Sequence, residues 1–131
     1  MSVPATGVGI SQLGQIAINV QEVERAAAFY QDVLGLKLLF KAPPGLAFFD
    51  CGGVRLMLNR AEKPELDHPS SILYFLVPDI HAAWGKLKDK DTRFEGEPHV
   101  VARMPTHDLW ISHFYDSENN LLALMSEVEK P

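Results

Sequence analysis

The chain has 131 residues, of which 47% are hydrophobic and 22% charged, and this balance fits one small globular domain. Its 17 acidic and 12 basic residues give a net charge of −5, which argues against a nucleic-acid-binding surface. No stretch has the length and hydrophobicity of a membrane span, and a single cysteine, Cys51, excludes an internal disulfide.

The first twelve residues, MSVPATGVGISQ, lack a basic region followed by an apolar run. The sequence therefore predicts no secretory signal peptide, and we expect residues 1–12 to form a flexible tail. A lone cysteine suits a reducing compartment, so we expect a cytoplasmic protein.

The first predicted strand is QIAINV, and it leads into the helix QEVERAAAFYQDVLG. Gly35 is suited to cap the C-terminus of this helix. The apolar residues of the helix share one stripe at helical spacing: Val23, Ala26, Ala27, Tyr30 and Leu34. The runs LKLLF, LAFFD and VRLMLN then predict three strands. The polar stretch AEKPELDHPS, residues 61–70, predicts a linker.

The same order of elements follows the linker. ILYFLV predicts a strand, Asp79 predicts a helix N-cap, and HVVARM, LWISHFYD and LLALM predict three more strands. The helix PDIHAAWGKLKDK has its own apolar stripe, consisting of Ile80, Ala83, Trp84 and Leu87. We therefore expect one domain made of two modules, residues 13–60 and 71–127.

An internal repeat supports this division. An offset of 57 residues aligns QIAINVQEV with ILYFLVPDI, and an offset of 66 aligns FFDCGGVRLMLN with FYDSENNLLALM. Because the offsets differ by nine residues, the second half must carry an insertion, and the stretch GEPHVVARMPTHD is its expected place.

The doubled plan resembles the vicinal oxygen chelate superfamily, which includes glyoxalases, bleomycin-resistance proteins and extradiol dioxygenases. AAAFYQDVLG is similar to that family's helix motif, and FYDSENNLLALMSE is similar to its closing turn, with Ser117 and Asn119 replacing Pro and Gly. The resemblance implies an α+β fold of two βαβββ modules. These form an incompletely closed, eight-stranded curved sheet with helices outside and a cavity inside. It also implies a homodimer.

Metal-using relatives place one ligand on each of four strands, and the matching positions here are Gln15, Met57, Ile72 and Ala123. They offer one amide, one thioether and two side chains without a donor, so we expect no metal and no cofactor. His107 and His113 would lie roughly 20 Å apart on one extended strand. A turn after Pro105 would bring the two side chains closer, so a histidine-based metal site stays an alternative.

Strand alternation and the resemblance assign further residues to the cavity. His113 is the candidate acid or base, because a histidine changes protonation near neutral pH. Arg55 is a candidate for holding an anion. The other ligand-binding candidates are Gln15, Asn19, Met57, Tyr74, Arg103, His107, Ala123 and Met125.

Three functions remain open at this point. The first is a metal-independent protein that binds a small organic molecule, as bleomycin-resistance proteins do. The second is an enzyme of the lyase, isomerase or dioxygenase type, working without metal through His113 or with displaced ligands. The third is an interaction module whose cavity is filled by side chains. None of them calls for nucleic acid or a membrane as a partner.

Overall fold

A computed structural model describes residues 7–43 and 45–130, so part of the expected tail, residues 1–6, lies outside the described residues. The strands are β1 (Gln15–Asn19), β2 (Lys37–Ala42), β3 (Leu46–Cys51), β4 (Val54–Asn59), β5 (Leu73–Leu76), β6 (His99–Arg103), β7 (His107–Tyr115) and β8 (Leu121–Glu129). The helices are α1 (Val23–Ala28), which continues as a π-helical turn (Phe29–Val33), and α2 (Ile80–Asp89). A short 3-10 turn (Pro64–Leu66) lies in the linker.

The eight strands form two four-stranded sheets with orders β1-β4-β3-β2 and β5-β8-β7-β6. In each sheet the first strand runs parallel to the last strand of its module, and the other neighbours are antiparallel. The expected α+β fold of two βαβββ modules is therefore confirmed. Among the described residues, no helix has both the length and the hydrophobicity needed to cross a membrane.

The registers of the two sheets correspond residue by residue. Ala17 pairs with Met57 in the first sheet, and Tyr74 pairs with Ala123 in the second, in agreement with offsets of 57 and 66. The aromatic part of the second alignment is wrong by one residue. Phe48 pairs with Met57 whereas His113 pairs with Ala123, so His113 is the counterpart of Phe48. The β7–β8 turn is one residue longer than its counterpart, which shifts the register.

The insertion extends a hairpin. Ala42 pairs with Leu46 across a short turn, and the equivalent pair His99–Ile111 is separated by a much longer excursion. This excursion lies within the stretch predicted to hold the insertion. As a result the β6–β7 hairpin projects farther than the β2–β3 hairpin.

Both helices follow their apolar stripes. Ala26, Ala27 and Tyr30 are buried, and Gly35 has a φ of 76°, the left-handed conformation expected of a helix C-terminal cap. Asp79 caps α2, because its Oδ1 accepts a hydrogen bond of 3.1 Å from the Ala82 N–H. In the apolar stripe of α2, Ile80 and Leu87 are buried.

One hydrophobic core contains residues of both modules. It includes Phe49 and Leu56 from the first sheet, Phe114 and Leu122 from the second, and Tyr30 from the helical turn. Burying each of these large side chains contributes about 1.5–3 kcal/mol to folding. The helix-facing side of each sheet therefore packs into the core. The opposite side, here called the open side, is not part of that core.

A buried polar group, here called the Glu118 cluster (Arg25, Tyr30, Asp116, Glu118 and Asn120), also crosses between the modules. Tyr30 donates a 2.8 Å hydrogen bond to Asp116, and Asn120 donates to the Asn19 carbonyl. Glu118 accepts from Arg25 at 2.7 Å and from the backbone N–H groups of residues 21 and 22.

The pKa values of two side chains in this cluster, Glu118 and Tyr30, are shifted strongly. Hydrogen bonds from Arg25 lower the pKa of Glu118 to about 2, against a smaller opposing effect of burial. Burial, reinforced by the Asp116 carboxylate, raises the pKa of Tyr30. Glu118 therefore remains ionised at neutral pH, and its carboxylate lies at the start of α1.

Candidate functional site

The open side of the first sheet carries the Arg55 cluster, which consists of Gln15, Phe40, Phe48, Arg55 and Met57. The Arg55 Nε donates a 2.7 Å hydrogen bond to Gln15 Oε1, and Gln15 Nε2 lies 3.6 Å from the Met57 sulfur. The Arg55 guanidinium carbon lies 5.2 Å from the centre of the Phe48 ring. The arginine is therefore held in place by both polar and cation–π contacts.

A bulge brings Phe40 into this cluster. Leu38 pairs with Phe49 and Phe40 pairs with Phe48, because the register of β2 shifts between Leu38 and Phe40. Leu38 thus packs against the core, while Phe40 turns to the open side and stacks on Phe48 with ring centres 4.5 Å apart. Phe40 remains 47% exposed.

The open side of the second sheet carries the Tyr74 cluster, which consists of Tyr74, His113, Ala123 and Met125. The Tyr74 hydroxyl lies 3.4 Å from His113 Nε2, and the two rings meet edge to face with centres 5.7 Å apart. Ala123 pairs with both Tyr74 and His113 in the sheet and is fully buried. Tyr74 is 46% exposed, so the phenol and imidazole can reach a bound molecule.

The four positions that the family resemblance matches to metal ligands do not suit a divalent ion. The Gln15 oxygen already accepts a hydrogen bond from Arg55, Met57 offers a soft thioether, and neither Ile72 nor Ala123 has a donor atom. Within residues 7–43 and 45–130, no group of three or more His, Cys, Asp or Glu side chains is arranged to hold a metal. Both His107 and His113 lie on β7, six residues apart, too far for one ion.

Three of the predicted ligand-binding residues lie elsewhere. The side-chain amide of Asn19 donates to the carbonyls of Leu66 and His68, so Asn19 fixes the linker. Arg103 donates to Asp108 at 3.1 Å, and His107 contacts Thr106. Both of these contacts lie at the tip of the β6–β7 hairpin, away from His113.

The Arg55 and Tyr74 clusters occupy different sheets of the same chain. No hydrogen bond, ion pair or ring contact joins them in the described part of the chain. A cavity of about 480 Å³ lies between the modules and is lined by residues of both, such as Leu34, Cys51 and Leu87. Tyr74 on β5 also lines this cavity, whereas no residue of the Arg55 cluster does. Burial raises the pKa of the Cys51 thiol in this cavity.

Phe40 and Phe48 escaped the sequence analysis. LAFFD has two consecutive phenylalanines, and nothing in the sequence distinguishes the buried Phe49 from Phe48, which faces the opposite side. LKLLF gives no sign of the bulge. Gln15, Arg55 and Met57 do meet on one face, as their alternation in β1 and β4 predicts.

A model of the Glyoxalase/Bleomycin resistance protein/Dioxygenase superfamily matches residues 12–124. A member of that superfamily from Sphaerobacter thermophilus DSM 20745 is 20% identical with a TM-score of 0.74, over 90% of this chain and 98% of that one. TnmS3, an antibiotic binding protein from Streptomyces sp. CB03234, is 21% identical with a TM-score of 0.74, over 92% and 99%.

A lactoylglutathione lyase from Agrobacterium tumefaciens is also similar. It is 22% identical with a TM-score of 0.68, over 89% of this chain and 94% of that one. At such identities the likeness shows a shared fold. A binding protein and an enzyme thus share the architecture, and the choice between those roles depends on the side chains.

Proposed function

This chain belongs to the glyoxalase/bleomycin resistance protein/dioxygenase superfamily, and from that premise we propose that it binds a small organic molecule without a metal ion. The observation that carries the proposal is the donor set at the four family metal positions: an amide that is already bonded, a thioether and two aliphatic side chains. The binding surface is aromatic and apolar, with a few polar anchors, which is the usual character of small-molecule sites.

The antibiotic-binding neighbour TnmS3 shows that a binding role is compatible with this fold. The two proteins share the fold over nearly their whole length, and binding by TnmS3 demonstrates that the scaffold can serve this purpose. We propose a cytoplasmic protein that captures its ligand, in line with its lone, half-buried cysteine.

We propose further that the site is completed by a second copy of the chain. Because one core uses the helix-facing sides of both sheets, each cluster lacks an opposing wall. Exposed apolar side chains surround the Tyr74 cluster, with Leu76 67% exposed and Ile72 41% exposed. A homodimer would cover these side chains and bring the Arg55 cluster of one copy against the Tyr74 cluster of the other.

Metal content and thermal stability test the main proposal. We expect no stoichiometric metal by elemental analysis and no metal-specific shift in melting temperature on adding Ni²⁺, Zn²⁺, Mn²⁺, Fe²⁺ or EDTA. A ligand present at 100 times its Kd should stabilise the fold by about 2.7 kcal/mol. A bound metal, or a shift of several degrees with one ion, would overturn metal independence.

Matched variants locate the site. Tyr74→Ala should abolish the ligand-induced shift, whereas Val128→Ala, which truncates an exposed side chain near the end of β8, should leave it unchanged. If no member of a broad small-molecule panel stabilises the native chain, binding as a function is refuted.

A mixing experiment tests the shared site. With a ligand whose binding depends on Arg55, Arg55→Met and Tyr74→Ala should each disable binding in a homodimer. Mixing the two variants should restore about a quarter of the sites, because each mixed dimer then has one intact pair of clusters. If both clusters of one chain formed the site, mixing would restore nothing.

The contact between Tyr74 and His113 favours a second candidate, metal-free acid–base catalysis. A phenol 3.4 Å from an imidazole can pass a proton to or from a bound molecule. Such an enzyme would turn over a substrate with an acidic C–H next to a carbonyl group, and His113→Ala would lower kcat at least 100-fold. Unchanged turnover in that variant would exclude this chemistry.

A further inference from the structure

The Arg55 guanidinium has unused hydrogen-bonding capacity. Its Nε is occupied by Gln15, but its two terminal nitrogens have no hydrogen bond or ion pair with protein atoms in residues 7–43 and 45–130. Asp50 is its cross-strand neighbour, yet the Asp50 Oδ1 accepts from the Gly53 N–H instead. An exposed, positioned and uncompensated guanidinium results.

Such a guanidinium is prepared for an anion. The contacts with Gln15 and Phe48 restrict the arginine before any ligand arrives, which reduces the entropy lost on binding. Its planar terminal nitrogens match the two oxygens of a carboxylate or sulfonate. This local charge stands out against the acidic balance of the whole chain.

The aromatic part of the Arg55 cluster supplies a stacking surface. Phe48 is buried beneath Arg55 and Phe40, and Phe40 stacks on it at an interplanar angle of 26°. Phe40 on β2 and Arg55 on β4 flank Phe48 from its two neighbouring strands, and Phe40 is 47% exposed. A flat ligand that lies across this row can contact Phe40 while a substituent on its edge reaches Arg55.

We propose that the ligand of this site is a planar aromatic molecule with one anionic group, which packs across Phe40 and Phe48 and binds Arg55 through that group. The inference rests on the proposed function and narrows its ligand class. The Tyr74 cluster of a second copy suits the other face of such a ligand. Tyr74 and His113 are flat rings, and the residue that pairs with both of them, Ala123, carries only a small methyl group.

A matched pair of probes tests the ligand class on the native chain. Anthraquinone-2-carboxylate and its neutral carboxamide have nearly the same shape and differ in charge. Calorimetry should give about tenfold or more tighter binding of the carboxylate at low salt, and this preference should shrink as salt is added.

Variants assign the preference to its residues. Arg55→Met should remove the preference for the carboxylate while binding of the carboxamide persists. Phe40→Leu should weaken both probes. Arg60→Met, which removes an exposed arginine just past the end of β4, should leave both affinities unchanged.

The outcomes separate this inference from the proposed function. Equal binding of the two probes, or a preference that survives Arg55→Met, overturns the anionic ligand class while small-molecule binding stands. If neither probe binds and no other panel molecule does, both proposals fail together.

Discussion

Glu118 has no exposed side-chain surface, and its carboxylate accepts hydrogen bonds from Arg25, Ser117 and two backbone N–H groups. Its folded pKa of about 2 lies below the ordinary 4.5. A carboxyl group of this kind stabilises the fold above its unfolded pKa and loses that contribution as the pH falls toward its folded pKa. Stability should therefore decline between about pH 5 and pH 2.

Glu118→Gln tests this contribution directly. We expect the free energy of unfolding at pH 7 to fall by about 2 kcal/mol, because the amide loses the charge that Arg25 and the backbone donors bind. The variant should also show a flatter decline of stability in acid. Urea denaturation across pH measures both effects.

Glu22→Gln is the matched control. Glu22 pairs with the same Arg25 at 3.2 Å but has an exposed side chain, so its loss should cost less than about 0.5 kcal/mol. Equal destabilisation by the two variants would contradict the special role of the buried carboxylate.

Individual site residues were predicted only where the local backbone is regular. In β4 the alternation buries Leu56 and Leu58 and turns Met57 outward, as VRLMLN indicates. The same alternation predicts a ligand-binding role for Asn19, but its side-chain amide donates to linker carbonyls far along the chain. Alternation specifies a face, and long-range partners decide what a side chain does there.

At the level of elements, the β7–β8 turn requires a left-handed backbone conformation at Asn119. Asn119 replaces the glycine of the family motif and has a φ of 65°, a conformation that asparagine tolerates. Its Oδ1 also accepts a hydrogen bond from Arg93. The turn thus gains a side-chain contact that glycine would not supply.

A comparison of Asn119→Gly with Asn119→Ala isolates the backbone effect. Both variants lose the contact with Arg93, but only alanine carries a Cβ at positive φ. Asn119→Ala should be less stable than Asn119→Gly by about 1 kcal/mol. Thermal denaturation would detect the difference, and equal stabilities would show that the turn relaxes to another conformation.

Irregular elements account for most of what the sequence did not reveal. The order of strands and helices follows from apolar patterning and turn residues, and Asp79 was correctly identified as a cap. The bulge in β2 depends on packing of Leu38 and Phe40 against opposite sides of the sheet, which no local pattern records. That bulge creates half of the aromatic stack in the Arg55 cluster.

At the scale of the whole molecule, the arrangement of the modules is a tertiary property. The sequence predicts one cavity, whereas in the structure Gln15, Arg55 and Met57 lie on one sheet and Tyr74, His113, Ala123 and Met125 lie on the other. Similar modules can pack against each other through either side of their sheets. The choice depends on contacts such as Tyr30 with Asp116, whose partners are 86 residues apart.

Formation of the proposed dimer should raise the thermal stability of the fold. If two copies cover each other's open faces, the melting temperature will increase with protein concentration. Leu76→Glu should remove this dependence and give a monomer by sedimentation velocity, because it places a charge among exposed apolar side chains. A melting temperature independent of concentration in the native chain would argue against the dimer.

The Glu118 cluster also bears on whether the two modules need a continuous chain between them. Because this cluster and the common core both cross the boundary between modules, the linker at residues 61–70 is not what keeps them together. Two fragments cut within that linker should find each other and reassemble. New termini placed within the same linker should also be tolerated in a circular permutant.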